Sequence, residues 1–120
     1  MQAPIVIPFD EIDWAPHPTI PGVETRMFIN EASFAPVDAL LVRLEPGRDI
    51  PWHVHETDTE IVYTLQGRSL LLCKEHENAE AVVQYESLPG RAVIIPSGLW
   101  HSVQNPYDET MIAFAIHTPG

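Results

Sequence analysis

Disulfides, long apolar runs and positive charge are what this chain has least of, and each shortage removes a class of protein. Its 120 residues carry one cysteine, Cys73, so no internal disulfide can form and the disulfide-stapled small domains are excluded. Cys73 closes the apolar run Leu70-Leu71-Leu72-Cys73 and reads as a small core or surface thiol, not a nucleophile. No uninterrupted apolar segment approaches the ~18 residues that a membrane helix needs. The stretch Met1-Gln2-Ala3-Pro4-Ile5-Val6-Ile7-Pro8 has no basic residue and is broken by two prolines, so no signal peptide is expected and the cytoplasm is the expected location. Six Lys and Arg stand against 17 Asp and Glu, a formal charge of −11. That balance repels nucleic acid and anionic membrane surfaces as partners.

What is present fits one ordinary globular domain: 45% hydrophobic and 19% charged residues. Residues 1–25 hold Pro4, Pro8, Pro16, Pro18 and Pro21, which forbid a continuous helix or a central strand and predict an extended arm. The arm either wraps its own domain or lends a strand to a partner. From residue 26 to 118 the apolar runs are short and rich in branched and aromatic side chains: Met27–Ile29, Ala39–Leu44, Ile61–Leu65, Leu70–Cys73, Ala81–Tyr85, Ala92–Ile95 and Met111–Ile116. Between them stand Glu45-Pro46-Gly47, Gln66-Gly67, Leu88-Pro89-Gly90, Pro96-Ser97-Gly98 and Asn105-Pro106. A proline presets φ and a following glycine permits φ > 0, which is what a type II turn requires. Short strands punctuated this regularly predict an all-β sandwich or barrel.

Four residues carry the chemistry. In His53-Val54-His55 the two imidazoles are two residues apart, so on a strand they leave the same face. Glu60 lies at an odd offset from both, which predicts a turn within Glu56–Thr59 and a new strand beginning at Glu60. His101 follows the Pro96-Ser97-Gly98 turn and brings a third imidazole from a distant strand. Three imidazoles and one carboxylate suit a divalent iron, manganese, nickel, cobalt, copper or zinc ion, and poorly suit Ca²⁺ or Mg²⁺, which prefer oxygen. Four ligands leave positions open on a five- or six-coordinate ion, where a substrate oxygen or O₂ binds.

Gly47, five residues, His53-Val54-His55, four residues, Glu60, six residues, Gly67 resembles the first motif of the cupin superfamily. Gly90, five residues, Pro96-Ser97-Gly98, two residues, His101, three residues, Asn105 resembles the second. At ordinary residue frequencies either motif would arise by chance at roughly one start in a million. The resemblance implies a double-stranded β-helix, or jelly-roll barrel, over residues 26–118, with a metal in the barrel mouth on His53, His55, Glu60 and His101. It also implies a homodimer. The superfamily hosts dioxygenases, decarboxylases, isomerases, storage proteins and regulators, so fold alone does not name the chemistry.

Around the site, Trp52, Trp100, Tyr63, Phe114 and Phe34 are candidates to line an apolar cavity, against the plainer reading of core or interface filling. His117 ends the last apolar run and is a candidate proton carrier or donor beside the metal; His17 and His76 read as solvated. Arg43 opposes the face of Leu40, Val42 and Leu44 and is expected to point away from the interior. The scarcity of basic residues favours a small, largely uncharged substrate such as an enol, a catechol-like compound or a thiol. The leading reading is a mononuclear oxygenase with iron favoured. The alternatives are a metal-dependent isomerase, epimerase or lyase in which Glu60 or His117 moves a proton, and a non-catalytic ligand-binding module.

Overall fold

The computed structural model describes residues 4, 6, 8–29 and 37–119. A 3-10 turn at Phe9–Glu11 precedes ten strands: β1 Ala15–Pro16, β2 Val23–Ile29, β3 Asp38–Leu44, β4 Asp49–His53, β5 Asp58–Gln66, β6 Ser69–Lys74, β7 Val83–Ser87, β8 Ala92–Ile95, β9 Trp100–Gln104 and β10 Met111–Pro119. There is no α-helix among the described residues, and so none long and apolar enough to cross a membrane. One sheet has the order β1-β2-β3-β10-β5-β8 and the other β4-β9-β6-β7. Every pairing is antiparallel. Two antiparallel sheets joined by crossovers between non-consecutive strands make the jelly-roll that the motifs implied.

The prolines and glycines act where the chain order placed them. Gly47 and Gly90, each after a proline, have φ of +74° and +84°, the left-handed backbone that a Pro-Gly turn needs. Ala92–Ile95 matches its predicted run at both ends, whereas β10 continues to Pro119 and β7 starts only at Val83. Three strands fall outside the apolar runs: β1, β4 (Asp-Ile-Pro-Trp-His) and β9 (Trp-His-Ser-Val-Gln).

Alternation along the strands sorts side chains into an inside and an outside. Met111, Ala113 and Ala115 of β10 are buried, as are Leu71 and Cys73 of β6, while the residues between them face outward. One core cluster joins Val23, Leu44, Met111 and Ala113; a second joins Leu71, Cys73 and Ile95. Val62 and Val103 pack against both, tying the sheets together. Burying a side chain such as Leu44, fully enclosed here, contributes roughly 1.5–3 kcal/mol. Cys73 is a core thiol whose burial raises its pKa, which keeps it a thiol and unreactive.

Asn105 explains the last position of the second motif without any role in ligation. Its side chain is fully buried. The amide nitrogen donates to the carbonyls of Leu44 (3.0 Å) and Glu109 (2.8 Å), and the amide oxygen accepts from the Tyr107 N–H (3.1 Å). Its backbone also exchanges bonds with Gly47 and Arg48, so one residue latches the β3–β4 and β9–β10 connections.

The arm folds back on its own chain. Ala15 and Pro16 pair with Thr25 and Glu24 of β2, and the Trp14 ring lies 4.6 Å from the Arg26 guanidinium and 4.4 Å from that of Arg43. Arg43 also bridges to Glu24 at 2.7 Å. It lies on the outer face, as alternation predicted.

Candidate metal centre

The predicted residues converge where the two sheets meet at one end of the barrel. His53 is the last residue of β4 and faces His101, the second residue of β9, as a direct cross-strand partner. The strand ends at His53, so His55 does not share it. The backbone N–H of Gly98 donates to the His55 carbonyl at 2.8 Å. The turn that delivers His101 thereby also pins His55. The break before Glu60 is present but shorter than predicted: β5 starts at Asp58, and Glu60 is its third residue, because β5 pairs with β10 as far as Asp58↔Pro119.

One ring nitrogen from each of His53, His55 and His101 lies within 4.8 Å of the other two. The Nδ1–H of His53 donates to the Pro51 carbonyl at 2.7 Å, and that of His101 to the Leu99 carbonyl at 2.9 Å. A ring that donates from Nδ1 presents a bare lone pair at Nε2, the tautomer a metal requires. Nε2 of His55 and Nε2 of His101 are both buried without a hydrogen-bond partner. Leaving such atoms unpaired costs about 1–3 kcal/mol each. Orphaned ring nitrogens in a cluster whose ligand atoms lie within 4.8 Å of one another are what a transition-metal ion would satisfy, and the donor set fits one.

Glu60 reaches the same cluster from the other sheet. Its Oε1 lies 3.8 Å from His101 Nε2, and its Oε2 lies 3.5 Å from His55 Nε2. Oε2 also accepts a short hydrogen bond from His117 Nε2. His117 sits directly across from Glu60 in the β10–β5 register, so the predicted proton carrier touches the predicted carboxylate ligand. His55, Glu60 and His117 form a second group of mutually close ligand atoms. The two groups share His55.

The electrostatics divide the histidines. Burial lowers the pKa of His55, partly offset by Glu60, and that of His101, partly offset by its hydrogen bond to the Leu99 carbonyl and then by Glu60, which keeps both neutral and ready to ligate. His117 goes the other way, raised by its hydrogen bond to Glu60 against the effect of burial. For Glu60, burial pushes upward, but the His117 hydrogen bond and the neighbouring histidines outweigh it and the pKa falls.

These directions set a pH window for the metal-free protein. A raised His117 contributes stability that is complete below its ordinary value near 6.5 and is lost as pH rises through the raised value. A lowered Glu60 contributes stability that is present above its ordinary value near 4.5 and is lost as pH falls through the lowered one. Together they place the pair's greatest contribution between those two values. With a chelator present, the gap in melting temperature between the wild type and His117→Gln is therefore expected to be widest near pH 5.5 and to narrow towards pH 9. A gap that stays constant across that range would mean that the pair does not titrate as a unit.

Two cavities meet at the cluster. An interior one of about 80 Å³ is walled by core residues such as Val62, Val93 and Met111, and a larger one of about 310 Å³ opens at the barrel mouth. His53 and Glu60 line both. The mouth cavity is lined by Trp52 but by no lysine or arginine, as the scarcity of basic residues suggested. Three other aromatic candidates stand elsewhere. Tyr63 is exposed and alternates with the inward Val62 and Thr64; Phe114 alternates with the buried Ala113 and Ala115; Trp100 alternates with the buried His101. Phe34 lies outside the described residues. His76 is exposed in the β6–β7 loop, as expected. His17 is not simply solvated: it is partly buried and lines the mouth cavity. No local signal marks it, because the arm reaches the mouth only through the β1–β2 pairing.

A family model described as the cupin domain matches residues 40–117. No curated protein matches the sequence. Among solved structures, a predicted oxalate decarboxylase from Thermotoga maritima superposes with a TM-score of 0.77 at 22% identity, over 97% of this chain and 100% of that one. A sugar phosphate isomerase of the cupin superfamily from Silicibacter pomeroyi gives 0.74 at 18%, over 97% of this chain and 76% of that one. The cupin domain of Schizosaccharomyces pombe Cnp3 gives 0.74 at 15%, over 92% of this chain and 71% of that one. At such identities the likeness establishes the fold and not the reaction.

Proposed function

We propose that this chain, which belongs to the cupin family, is a mononuclear metal-dependent oxygenase of the dioxygenase kind, with His53, His55, His101 and Glu60 holding one divalent transition-metal ion, iron favoured. The observation that carries the reading is the pair of buried Nε2 atoms on His55 and His101 without a hydrogen-bond partner, beside a third imidazole, that of His53, in the same tautomer as His101 and next to an open cavity of about 310 Å³. When bound, such an ion supplies Lewis acidity and, if it is iron, one-electron chemistry with O₂.

The protein's own contributions follow from the geometry. Carbonyls of Pro51 and Leu99 hold two imidazoles in orientation, so little reorganisation is needed on ligation. His117 takes up Oε2 of Glu60 and leaves Oε1 on the side of His101. Ile20, Leu40, Val42, Ile50 and Trp52 give the cavity largely apolar walls, which suit the body of an organic molecule. At the small end of the ~300–1,000 Å³ range of ligand sites, with no cationic lining, the cavity suits a small, largely uncharged organic substrate.

The Glu60–His117 pair supports a second reading. A carboxylate and an imidazole joined by a hydrogen bond at the cavity edge can take a proton from one carbon and return it to another, as a metal-dependent isomerase or lyase requires. Metal analysis of protein purified without added metal, followed by O₂ uptake against a panel of enols, β-diketones and catechols, separates the two. A redox-active metal with O₂ uptake on one class is the expected result. Stoichiometric zinc with no O₂ uptake overturns the oxygenase, and deuterium exchange α to a carbonyl would then favour the second reading.

A further inference from the structure

We propose that His17, on the N-terminal arm, is a substrate-orienting hydrogen-bond donor that selects molecules carrying an acceptor oxygen remote from their metal-binding end. The proposal rests on the reading of the mouth cavity as the substrate site. His17 lies between Pro16 and Pro18, and its backbone N–H donates to the Val23 carbonyl at 2.9 Å. Two flanking prolines and a backbone anchor leave it little freedom.

The ring is held as firmly as the backbone. Nδ1 accepts the backbone N–H of Thr19 at 3.2 Å and that of Ile20 at 3.1 Å, with the Thr19 hydroxyl at 3.4 Å. A nitrogen that accepts two N–H donors carries no proton, so the ring proton is on Nε2. That Nε2–H has no partner among the described residues, and His17 stands between the mouth cavity and a hollow on the arm, lining both. Among the described residues, apart from His53, His55, Glu60 and His117, the polar groups in the lining are His17, the Thr25 hydroxyl and the Trp52 indole N–H.

A fixed N–H donor on a largely apolar wall suits a carbonyl, nitro or enol oxygen rather than a cation or a second donor. The substrate class that follows is a small apolar molecule with two separated oxygen functions, one for the metal and one acceptor for the arm. This deepens the uncharged-substrate reading by requiring the second oxygen.

Two variants separate the donor from the turn it caps. His17→Asn keeps a side-chain oxygen that can accept from the amides two and three residues on, and removes the far nitrogen. His17→Gln places an amide N–H near the position of Nε2. The probes are 4-nitrocatechol, whose nitro group can accept, and 4-methylcatechol, which has no acceptor there; both are titrated calorimetrically into the metal-loaded full-length chain. His17→Asn is expected to weaken 4-nitrocatechol about three- to tenfold, the order of one neutral hydrogen bond. It should leave 4-methylcatechol and metal content unchanged, and His17→Gln should restore much of the nitrocatechol affinity. Equal losses for both probes, or no loss for either, overturn the assignment of His17 while the metal reading stands. A wild type with one metal per chain that binds neither probe overturns the open-site reading, and this proposal with it.

Discussion

Replacing His101 with alanine is expected to strip the bound metal and to remove the thermal stabilisation that metal confers, in one variant and by one cause. His101 is fully enclosed, and its Nε2 lone pair has no hydrogen-bond partner among the described residues. Disturbing only the outer partners of a metal-bound histidine typically costs about 10–100-fold in affinity; removing the ligand itself is expected to cost at least about 100-fold. A metal present at a hundred times its Kd stabilises the native state by about 2.7 kcal/mol, equivalent to roughly 10 °C in a domain of this size. In a chelator the comparison changes. The wild type then bears the desolvation of an unpaired nitrogen, which partly offsets the packing lost in the variant, so the two melting temperatures should approach each other. His76→Ala, in the exposed β6–β7 loop, is the control and should alter neither quantity. Elemental analysis and calorimetry with and without chelator provide the readout, and undiminished metal in His101→Ala would show that the centre lies elsewhere.

Gly67→Ala is expected to be the most damaging small substitution in the barrel. Gly67 turns β5 into β6 with φ of +69°, and a Cβ there would be driven into the Thr110 carbonyl oxygen and lie 3.0 Å from Met111 Cα. Both are backbone atoms and cannot rotate away. Beside this point the β5–β10 register already slips between Ile112 and Ala113, so the clash acts on the strand pair that brings Glu60 to His117. Left-handed backbone costs alanine about 1–2 kcal/mol, and forced overlap in a packed region about 1–3 kcal/mol more. Gly47→Ala isolates the first contribution. It has φ of +74° but nothing within 4 Å of the added carbon, so it should lose only about 1–2 kcal/mol. Urea unfolding of the two variants checks the contrast, and equal losses would remove the carbonyl clash as the cause.

Much of this was legible in the chain, and the illegible parts share a physical origin. Short apolar runs rich in branched and aromatic side chains, bounded by turn residues, gave away β3, β5, β6, β8 and β10, because such side chains suit a packed pleated strand. The strands that carry the ligands were harder. β4 and β9 hold proline, histidine, serine and glutamine where a core strand would hold valine, since their composition serves the site as well as the fold. The odd offset of Glu60 did announce a break, yet its length depended on how far β10 extends. That extent is settled by pairing between residues more than fifty positions apart.

The chain order by itself determined an all-β domain, the places where it turns, and three imidazoles and a carboxylate set around those turns. Backbone sterics at Pro-Gly and side-chain alternation are local, and they leave their mark in neighbouring residues. Tertiary structure alone decided that His117 grips Glu60, that the imidazoles' outer nitrogens are held by carbonyls of Pro51 and Leu99, and that the arm carries His17 to the barrel mouth. The first and last of these rest on which strands lie side by side and in what register. Such pairing is chosen by the collective burial of both sheets, not by any one segment. The carbonyl anchors are close in sequence, but they stand at the site only because β4 and β9 pair across His53 and His101, with a register shift between Ile50 and His53.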